Sequence, residues 1–538
     1  IRNLLGLGTI MAFPGSMCGA LLCGLVFWKT RNLPATLVGE VFGTGIIGGL
    51  AAYPVAILFT DADAATVAFY AYIVPFLIST VAGAILAGIL VAALGRTGAL
   101  SSMRTALERG IPTSFPGPQS GPGFLLFCLL RGIMGPTTRQ GRSFPMDITP
   151  EQVRAHRLRA HHLDRRYPAS RILEAAGACG LQNSPPGGWE TALFQRLEGC
   201  SLPLLRDVLY RDRALLQAWS IRGVPLVFPA GESGVFLSPL LARVGEGPGI
   251  YTRGITAALD FVGMSFDEAH ARVREAARCL DGTTVRSKEA LDQLLADRVG
   301  AQLPPEQRAL WDSPSMYGRP DRQTVGGAAV SFLLRPCSFA SLVVFGRREE
   351  NSPTFTSFRR WLGREPSPCP QGEAELVRRF LHCYGPAAPA DLQAWLGSSP
   401  QQAKRLWSAA AEEMEPVRVL GRTRWALIRD RDSLTAPPEQ PGRLILLGPH
   451  DPYLDLRDRA LVLEDPARQR QVWRTVSNPG AVLKDGRVAG IWTGKAVQGR
   501  LEFSLSLWEP LSPGARQALE REAGAYAAFR GLELSFLP

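Results

Sequence analysis

The sequence predicts a mixed α/β chain in two unlike parts. All-α transmembrane helices come first, then tandem winged-helix domains of α+β type and a β-rich C-terminal domain. Three observations predict this. Residues 1–95 hold only six charged side chains, Arg2, Lys29, Arg31, Glu40, Asp61 and Asp63, whereas charges recur every few residues from Met146 onward. The charge-poor part is made of three apolar stretches, Leu4–Trp28, Leu33–Phe59 and Val67–Leu94. The charged part alternates amphipathic helical segments with short paired strand signals. The expected divisions are a partial membrane domain with three spans (1–95), a Pro/Gly-rich linker (96–147) and a first winged-helix domain (148–250). A second winged-helix-like domain (251–370), a third winged helix (371–435) and a C-terminal hairpin or barrel region (436–538) follow.

Each apolar stretch reaches the roughly 20 residues a helix needs to cross about 30 Å of hydrocarbon. A signal peptide would show one short run instead. Lys29 and Arg31 join the first two stretches, Asp61 and Asp63 the next two, and Arg96, Arg104 and Arg109 follow the last. The positive-inside rule then places the 29–31 loop and everything after Leu94 in the cytoplasm. Gly43-Thr44-Gly45-Ile46-Ile47-Gly48 fits the dinucleotide fingerprint GxGxxG but lacks a βαβ context, and glycines in an apolar helix more often permit close helix packing. Glu40 is an ionisable group inside a span, a position that is costly and often functional.

These residues carry a resemblance. Arg2-Asn3-Leu4-Leu5-Gly6, Ala12-Phe13-Pro14-Gly15-Ser16, Gly39 to Gly45 and Val74-Pro75-Phe76 resemble ThiW, the substrate-binding S component of an energy-coupling-factor transporter. Over residues 1–100 it implies binding of the thiazole precursor of thiamine, with Asn3 and Glu40 as ligand contacts and energising transporter subunits as partners. S components of this type have six spans, and the leading ones have no counterpart here.

Pro/Gly density over 110–145 marks a linker, and Met146-Asp147-Ile148-Thr149-Pro150-Glu151 reads as a protein start with a helix start beside it, Thr149 as N-cap and Pro150 at N1. Either one polypeptide tethers a soluble body to the membrane, or two neighbouring coding regions have been joined. The second is the expectation, and translation from Met146 would make the product cytoplasmic. The net charge of +11 is spread over both parts: residues 1–145 carry nine Lys/Arg against four Asp/Glu, the remainder 50 against 44. Such an excess permits a nucleic-acid partner without demanding one. Nine cysteines without a CxxC pair predict neither a disulfide scaffold nor a zinc site, and no cofactor is expected. His156, His161 and His162 lack the i, i+4 spacing of a metal pair and are expected on a polar helix face.

Within the body, the segment Glu373–Arg429 is the clearest. Helices over Glu373–His382, Pro389–Leu396 and from Pro400 to about Met414, the last capped by Ser399, precede strands Val417–Leu420 and Arg424–Ile428 with Gly421-Arg422 between them. Three helices and a hairpin predict a winged helix. Its third helix would enter the major groove with Gln401, Gln402, Lys404 and Arg405 outward and Leu406, Trp407 and Ala410 inward, and Arg422 would sit on the wing. A less regular copy is expected over 256–363, with a hairpin of Ala328–Leu334 and Ser341–Phe345. Near the end, Asp485-Gly486 between Ala481–Lys484 and Arg487–Trp492 is a strong hairpin signal.

This body resembles the AlkZ/YcaQ-type winged-helix DNA-binding family over about 148–538. The resemblance rests on the successive winged helices, Gly448-Pro449-His450-Asp451-Pro452-Tyr453, Gly486-Arg487-Val488-Ala489-Gly490-Ile491-Trp492, and Arg222-Gly223 where that family carries an Arg-Gly motif. It implies a monofunctional DNA glycosylase for bulky or crosslinked alkylated bases, with a Gln-x-Gln or Gln-x-Asp signature in the first winged helix. Leu181-Gln182-Asn183-Ser184 offers Gln182 at the first position and Ser184 at the second, with Asn183 on the opposite phase. A cationic N7-alkylpurine leaves without strong acid help, so the enzyme must hold a water and stabilise an oxocarbenium ion. A Gln amide both accepts and donates. Two other classes stay open: a non-catalytic protein binding double-stranded DNA, and a thiazole-uptake S component.

Overall fold

The computed structural model describes residues 145–537 apart from 248, 250–253, 316–322 and 439–440, together with parts of 22–47 and residues 77, 80, 81 and 84. The chain divides into two compact units, Ile1–Arg142 and Ser143–Pro538.

The first unit corrects the membrane expectation. Among the described residues, no helix is long and apolar enough to cross a membrane. The middle stretch begins as a helix, Leu33–Glu40, with Asn32 as N-cap and Pro34 in its first turn. Eight residues rise only about 12 Å, and at Val41 the winding changes to a π-helix that runs to Ile47. Most of the first and third stretches, and with them Asn3, lie outside the described residues. Glu40 ends the short helix, half-buried.

The second unit is mixed α and β. It opens with β1 (Met146–Ile148) and α1 (Pro150–Ala160). Thr149 caps α1 in a full capping box: its hydroxyl accepts from Gln152 N, and Gln152 Oε1 accepts from Thr149 N. α2 (Ile172–Gly177) leads to β2 (Leu181–Gln182), α3 (Gly188–Arg196), β3 (Leu215–Trp219) and β4 (Pro225–Pro229). These three strands form a sheet ordered β2-β4-β3.

The next segment contains α4 (Phe266–Ala277), β5 (Val285–Arg286), α5 (Lys288–Gly300), α6 (Val325–Phe339), β6 (Val344–Phe345) and β7 (Thr354–Thr356). The expected hairpin of Ala328–Leu334 and Ser341–Phe345 is therefore corrected. Ala328–Leu334 lies inside the fifteen-residue α6, capped by Thr324, and β6 pairs with β7 instead.

Then follow α7 (Gly372–Tyr384), α8 (Pro389–Leu396), α9 (Pro400–Ser408), β8 (Met414–Val419) and β9 (Arg422–Leu427), the three helices and hairpin in the order read from the sequence. β1 pairs parallel to β8, so residues next to α1 complete this later sheet. Side chains of both regions also share one core, in which Cys179, Leu216 and Phe236 pack with Phe380, Tyr384 and Trp395.

The C-terminal region contains β10 (Leu444–Leu447), β11 (Gly480–Lys484), β12 (Arg487–Val497), β13 (Arg500–Leu507), α10 (Pro513–Phe529) and β14 (Glu533–Phe536). Its five strands stand in chain order, β13 and β14 parallel, and α10 covers them through Leu519 and Ala523 on Trp492 and Phe503.

Candidate active site

β2 places Gln182. Leu181 pairs with Val227 and is buried beneath the sheet, so Gln182, one residue on, points to the opposite face. The chain then turns sharply through Ser184-Pro185-Pro186-Gly187 into α3. Gly188 sits so close under this turn that a Cβ there would stand 2.9 Å from Gln182 O. Asn183 braces the turn from both ends of its amide: Oδ1 accepts from Gly187 N at 2.7 Å, and Nδ2 donates to Gln217 Oε1 at 3.1 Å. Ser184 is exposed at the tip, and its carbonyl accepts from Gln182 Nε2 at 2.8 Å.

Arg222 arrives from the tight β3–β4 connection. Its φ is +58°, which a non-glycine residue adopts at a cost, and Gly223 beside it is also left-handed at +65°. The bend is held by Gly223 N donating to Ser220 O at 2.7 Å. It aims the guanidinium at two acceptors at once. Arg222 Nη2 donates to Gln182 Oε1 at 3.3 Å and to Asp455 Oδ2 at 2.8 Å. The Gln182 amide is thereby oriented: oxygen toward Arg222, nitrogen toward the Ser184 carbonyl.

Asp455 follows the Gly448-Pro449-His450-Asp451-Pro452-Tyr453 segment, which is anchored firmly. Asp451 forms a bidentate pair with Arg196 of α3 at 2.8 and 2.9 Å, both side chains 1% exposed. Tyr453 Oη donates to Gly486 O at 2.9 Å in the β11–β12 turn. Gly486 has φ +74°, and a Cβ there would stand 2.7 Å from that hydroxyl. The two sequence motifs thus dock on each other. Burial pushes the Asp455 carboxyl above its ordinary value, and the Arg222 guanidinium works against that rise. Burial lowers His450, with Asp455 opposing and Arg222 adding to the drop, so His450 is a neutral imidazole near pH 7.

Two cavities lie near these groups, the smaller lined by two of them and the larger by none. A water-sized one of about 30 Å³ is lined by His450, Asp455, Trp473 and Asn478. Another, about 320 Å³, lies between the Pro185–Gly188 turn and the C-terminal sheet, lined by Pro185, Pro186, Thr191, Trp492, Tyr526 and Arg530. Its volume is within the usual range for small-molecule sites. Asn478 and Pro479 border both.

Residues 154–529 match the family model described as DNA glycosylase AlkZ-like. The chain belongs to the AlkZ-like DNA glycosylase family. Residues 1–97 match a second model, described as thiamine-precursor transporter protein (ThiW). Among solved structures, DNA glycosylase AlkZ of Streptomyces sahachiroi is similar at 21% identity and a TM-score of 0.57, covering 73% of this chain and 100% of its own. At that identity the likeness shows the fold. No curated protein sequence matches the chain.

In this AlkZ-like chain the structure joins Gln182 to Arg222 and brings in Asp455 and His450, which the sequence reading did not single out. The Gly448–Tyr453 motif was the available signal. On α9 the expected outward face is corrected in part. Gln401 and Lys404 are exposed. Gln402 is only 2% exposed and donates to Leu240 O at 2.9 Å. Arg405 is paired with Glu246 at 2.5 Å and with Glu373. The short helix is covered from a second side by the 239–246 loop, which claims both side chains. Arg422 is exposed at the start of β9. The three early histidines are also corrected: His156, His161 and His162 are buried, not on a polar face.

Proposed function

We propose that this chain is a monofunctional DNA glycosylase hydrolysing the N-glycosidic bond of bulky or crosslinked alkylated purines in double-stranded DNA. The observation that carries the proposal is Gln182 and Asp455 joined through one Arg222 nitrogen, with a 320 Å³ cavity lined by the Pro185–Gly188 turn that follows Gln182. A cationic base needs no proton to leave. What remains is to hold water and to stabilise positive charge on the sugar. Gln182 Oε1 accepts from Arg222 with one lone pair and keeps a second for a water hydrogen. Asp455 supplies the negative charge that an oxocarbenium ion needs, and the guanidinium favours its ionised form against the rise that burial causes. Ser184 faces solvent and Asn183 braces the turn, so Asp455 takes the part that the family signature gives to its second polar residue. The cavity beside Trp492 and Tyr526 offers the extruded base room and aromatic walls.

The test is base release from an N7-alkylated duplex by the full chain. Gln182→Ala and Asp455→Asn are each expected to lower release about 10²–10³-fold, the scale of removing one preorganised transition-state contact, with duplex binding kept. Binding without release by the parent protein would make it a non-catalytic DNA-binding relative.

A further inference from the structure

Close to the Gln182 strand, three metal-ligating side chains from distant parts of the chain converge. His161 follows α1, Cys179 lies between α2 and β2, and Cys383 is near the end of α7. They are 1%, 4% and 0% exposed, and their ligand atoms all lie within 4.8 Å of one another. Both cysteines are free thiols.

The surroundings prepare the cluster for a cation. His161 Nε2 donates to Cys383 O at 2.9 Å, which fixes the tautomer and leaves the Nδ1 lone pair facing Cys179 Sγ at 3.7 Å. An outer hydrogen bond of this kind, from the far ring nitrogen to a backbone carbonyl, is how metal-bound imidazoles are oriented. The rings of Tyr384 and Tyr453 pack edge-on against His161 at 5.0 and 5.5 Å and hold its plane. Cys383 Sγ donates to the Ala178 carbonyl at 3.4 Å, and with that proton lost the carbonyl oxygen is a fourth ligand atom at hand. Tetrahedral zinc, with Zn–S of about 2.3 Å and Zn–N of about 2.0 Å, needs only a small contraction of this set. Two thiolates balance the ion's charge, and the nearby Arg196 is already neutralised by Asp451.

The neighbouring group of His156, His382 and Asp430 makes a useful contrast. There both His156 nitrogens are engaged, by Ser433 Oγ at 2.9 Å and His382 O at 2.8 Å, and His382 Nδ1 is paired with Asp430 at 2.9 Å. In that group both His156 nitrogens are already taken, while Asp430 Oδ2 is buried without a hydrogen-bond partner among the described residues. In the His161 group the ring Nδ1 is met, among the described residues, only by the weak thiol donor Cys179 Sγ at 3.7 Å, and Cys383 Sγ donates to Ala178 O at 3.4 Å and Ala160 O at 3.7 Å, contacts that thiolate coordination would replace.

We propose that His161, Cys179 and Cys383 form a binding site for a thiophilic divalent cation, zinc, that ties α1 and α7 to the strand carrying Gln182. Binding displaces the thiol protons to solvent as the two sulfurs coordinate. The ion is structural: its ligand Cys179 lies three residues before Gln182 along the chain, and it sets the position of that strand.

The experiment is elemental analysis of the full chain, purified without chelator from zinc-supplemented culture, with a cobalt-grown sample for absorption spectroscopy. One zinc per chain is expected, with thiolate-to-cobalt charge-transfer bands and the strong visible bands of tetrahedral cobalt. Cys179→Ser and Cys383→Ser should each lose the metal, while Cys200→Ser and Cys279→Ser keep it. A metal-free parent protein, cobalt bound without thiolate bands, bands that persist in both ligand variants, or a Cys179–Cys383 disulfide in peptide mapping would each overturn the proposal. If the serine variants fail to fold, the parent's cobalt spectrum alone decides. Metal content is read independently of base release, so the site stands or falls separately from the glycosylase reading.

Discussion

Arg222 occupies a backbone conformation that costs a non-glycine residue roughly 1–3 kcal/mol, and the β3–β4 turn imposes it. The strain delivers a guanidinium that orients Gln182 and holds the Asp455 carboxyl down against burial. The consequence for pH can be signed. If release needs the Asp455 carboxylate, activity falls as pH drops through its pKa in the folded protein. Removing the guanidinium lets burial raise that pKa further. Arg222→Ala is therefore expected to move the acid limb of the kcat/KM profile to higher pH, besides lowering the plateau. A profile scaled down with its acid limb unmoved would show that Arg222 acts on Gln182 alone. At this scale Gln182 and Arg222 stood out because each sits in a short local motif, but Arg222 was expected as a DNA contact and its place beside Gln182 was not foreseen. Asp455 did not stand out, because it meets Arg222 from 233 residues away and lies two residues beyond the Gly448–Tyr453 motif, the signal nearest to it. Cys179, His161 and Cys383 were hidden for the same reason: metal-ligand spacing rules describe sites built on one element.

Among the elements, α9 decides how DNA would be met. Of the four side chains expected to face DNA, Gln401 and Lys404 are exposed, with Arg422 exposed at the start of β9, whereas Gln402 and Arg405 are spent on the 239–246 loop. If Lys404 and Arg422 contact phosphates, each change to Ala should flatten the slope of log K against log salt by about 0.9. Gln402→Ala should leave that slope alone and lower stability, since it strips a hydrogen-bond donor from two buried carbonyls. Fluorescence titration of a labelled duplex at several salt concentrations, with urea unfolding alongside, separates the two effects. Equal slopes for all three variants would remove α9 and the wing from the interface. The helices of this region were readable from caps: Ser399 and Pro400 open α9 as expected. α6 was misread because Gly326 to Leu334 is buried almost throughout, and a continuous apolar run has no period to separate helix from strand. α10 was overlooked although Ser512 and Pro513 form the same cap signature, because the strand alternation just before it dominated the reading.

The largest divergence from the sequence lies at the scale of the molecule. Hydropathy reports that a stretch is apolar but not how it winds: among the described residues no helix is long and apolar enough to cross a membrane, and Leu33–Glu40 passes into a π-helix at Val41. Nor does local pattern show that β1 completes the β8–β9 sheet, so that α1 is clamped against α7 and the segment after β9. His156 stands in that clamp. Its Nε2 donates to His382 O and its Nδ1 accepts from Ser433 Oγ, and burial pushes its pKa from the ordinary 6.5 down to about 4. The unfolded chain therefore binds a proton between these values while the folded one does not. Stability from His156 is complete above about pH 6.5 and is lost as pH falls toward 4, to the extent of roughly 2–4 kcal/mol. His162, lowered in the same direction by burial, adds to the loss. Urea unfolding between pH 7.5 and pH 4.5 is expected to show this decline for the parent protein and a shallower one for His156→Gln, which cannot take up the proton. Since α1 and α7 separate only if the shared sheet and core open, the decline should be seen alike by tryptophan fluorescence and by circular dichroism. Parallel stability curves for the two proteins would mean that a group other than His156 carries the acid sensitivity of the fold.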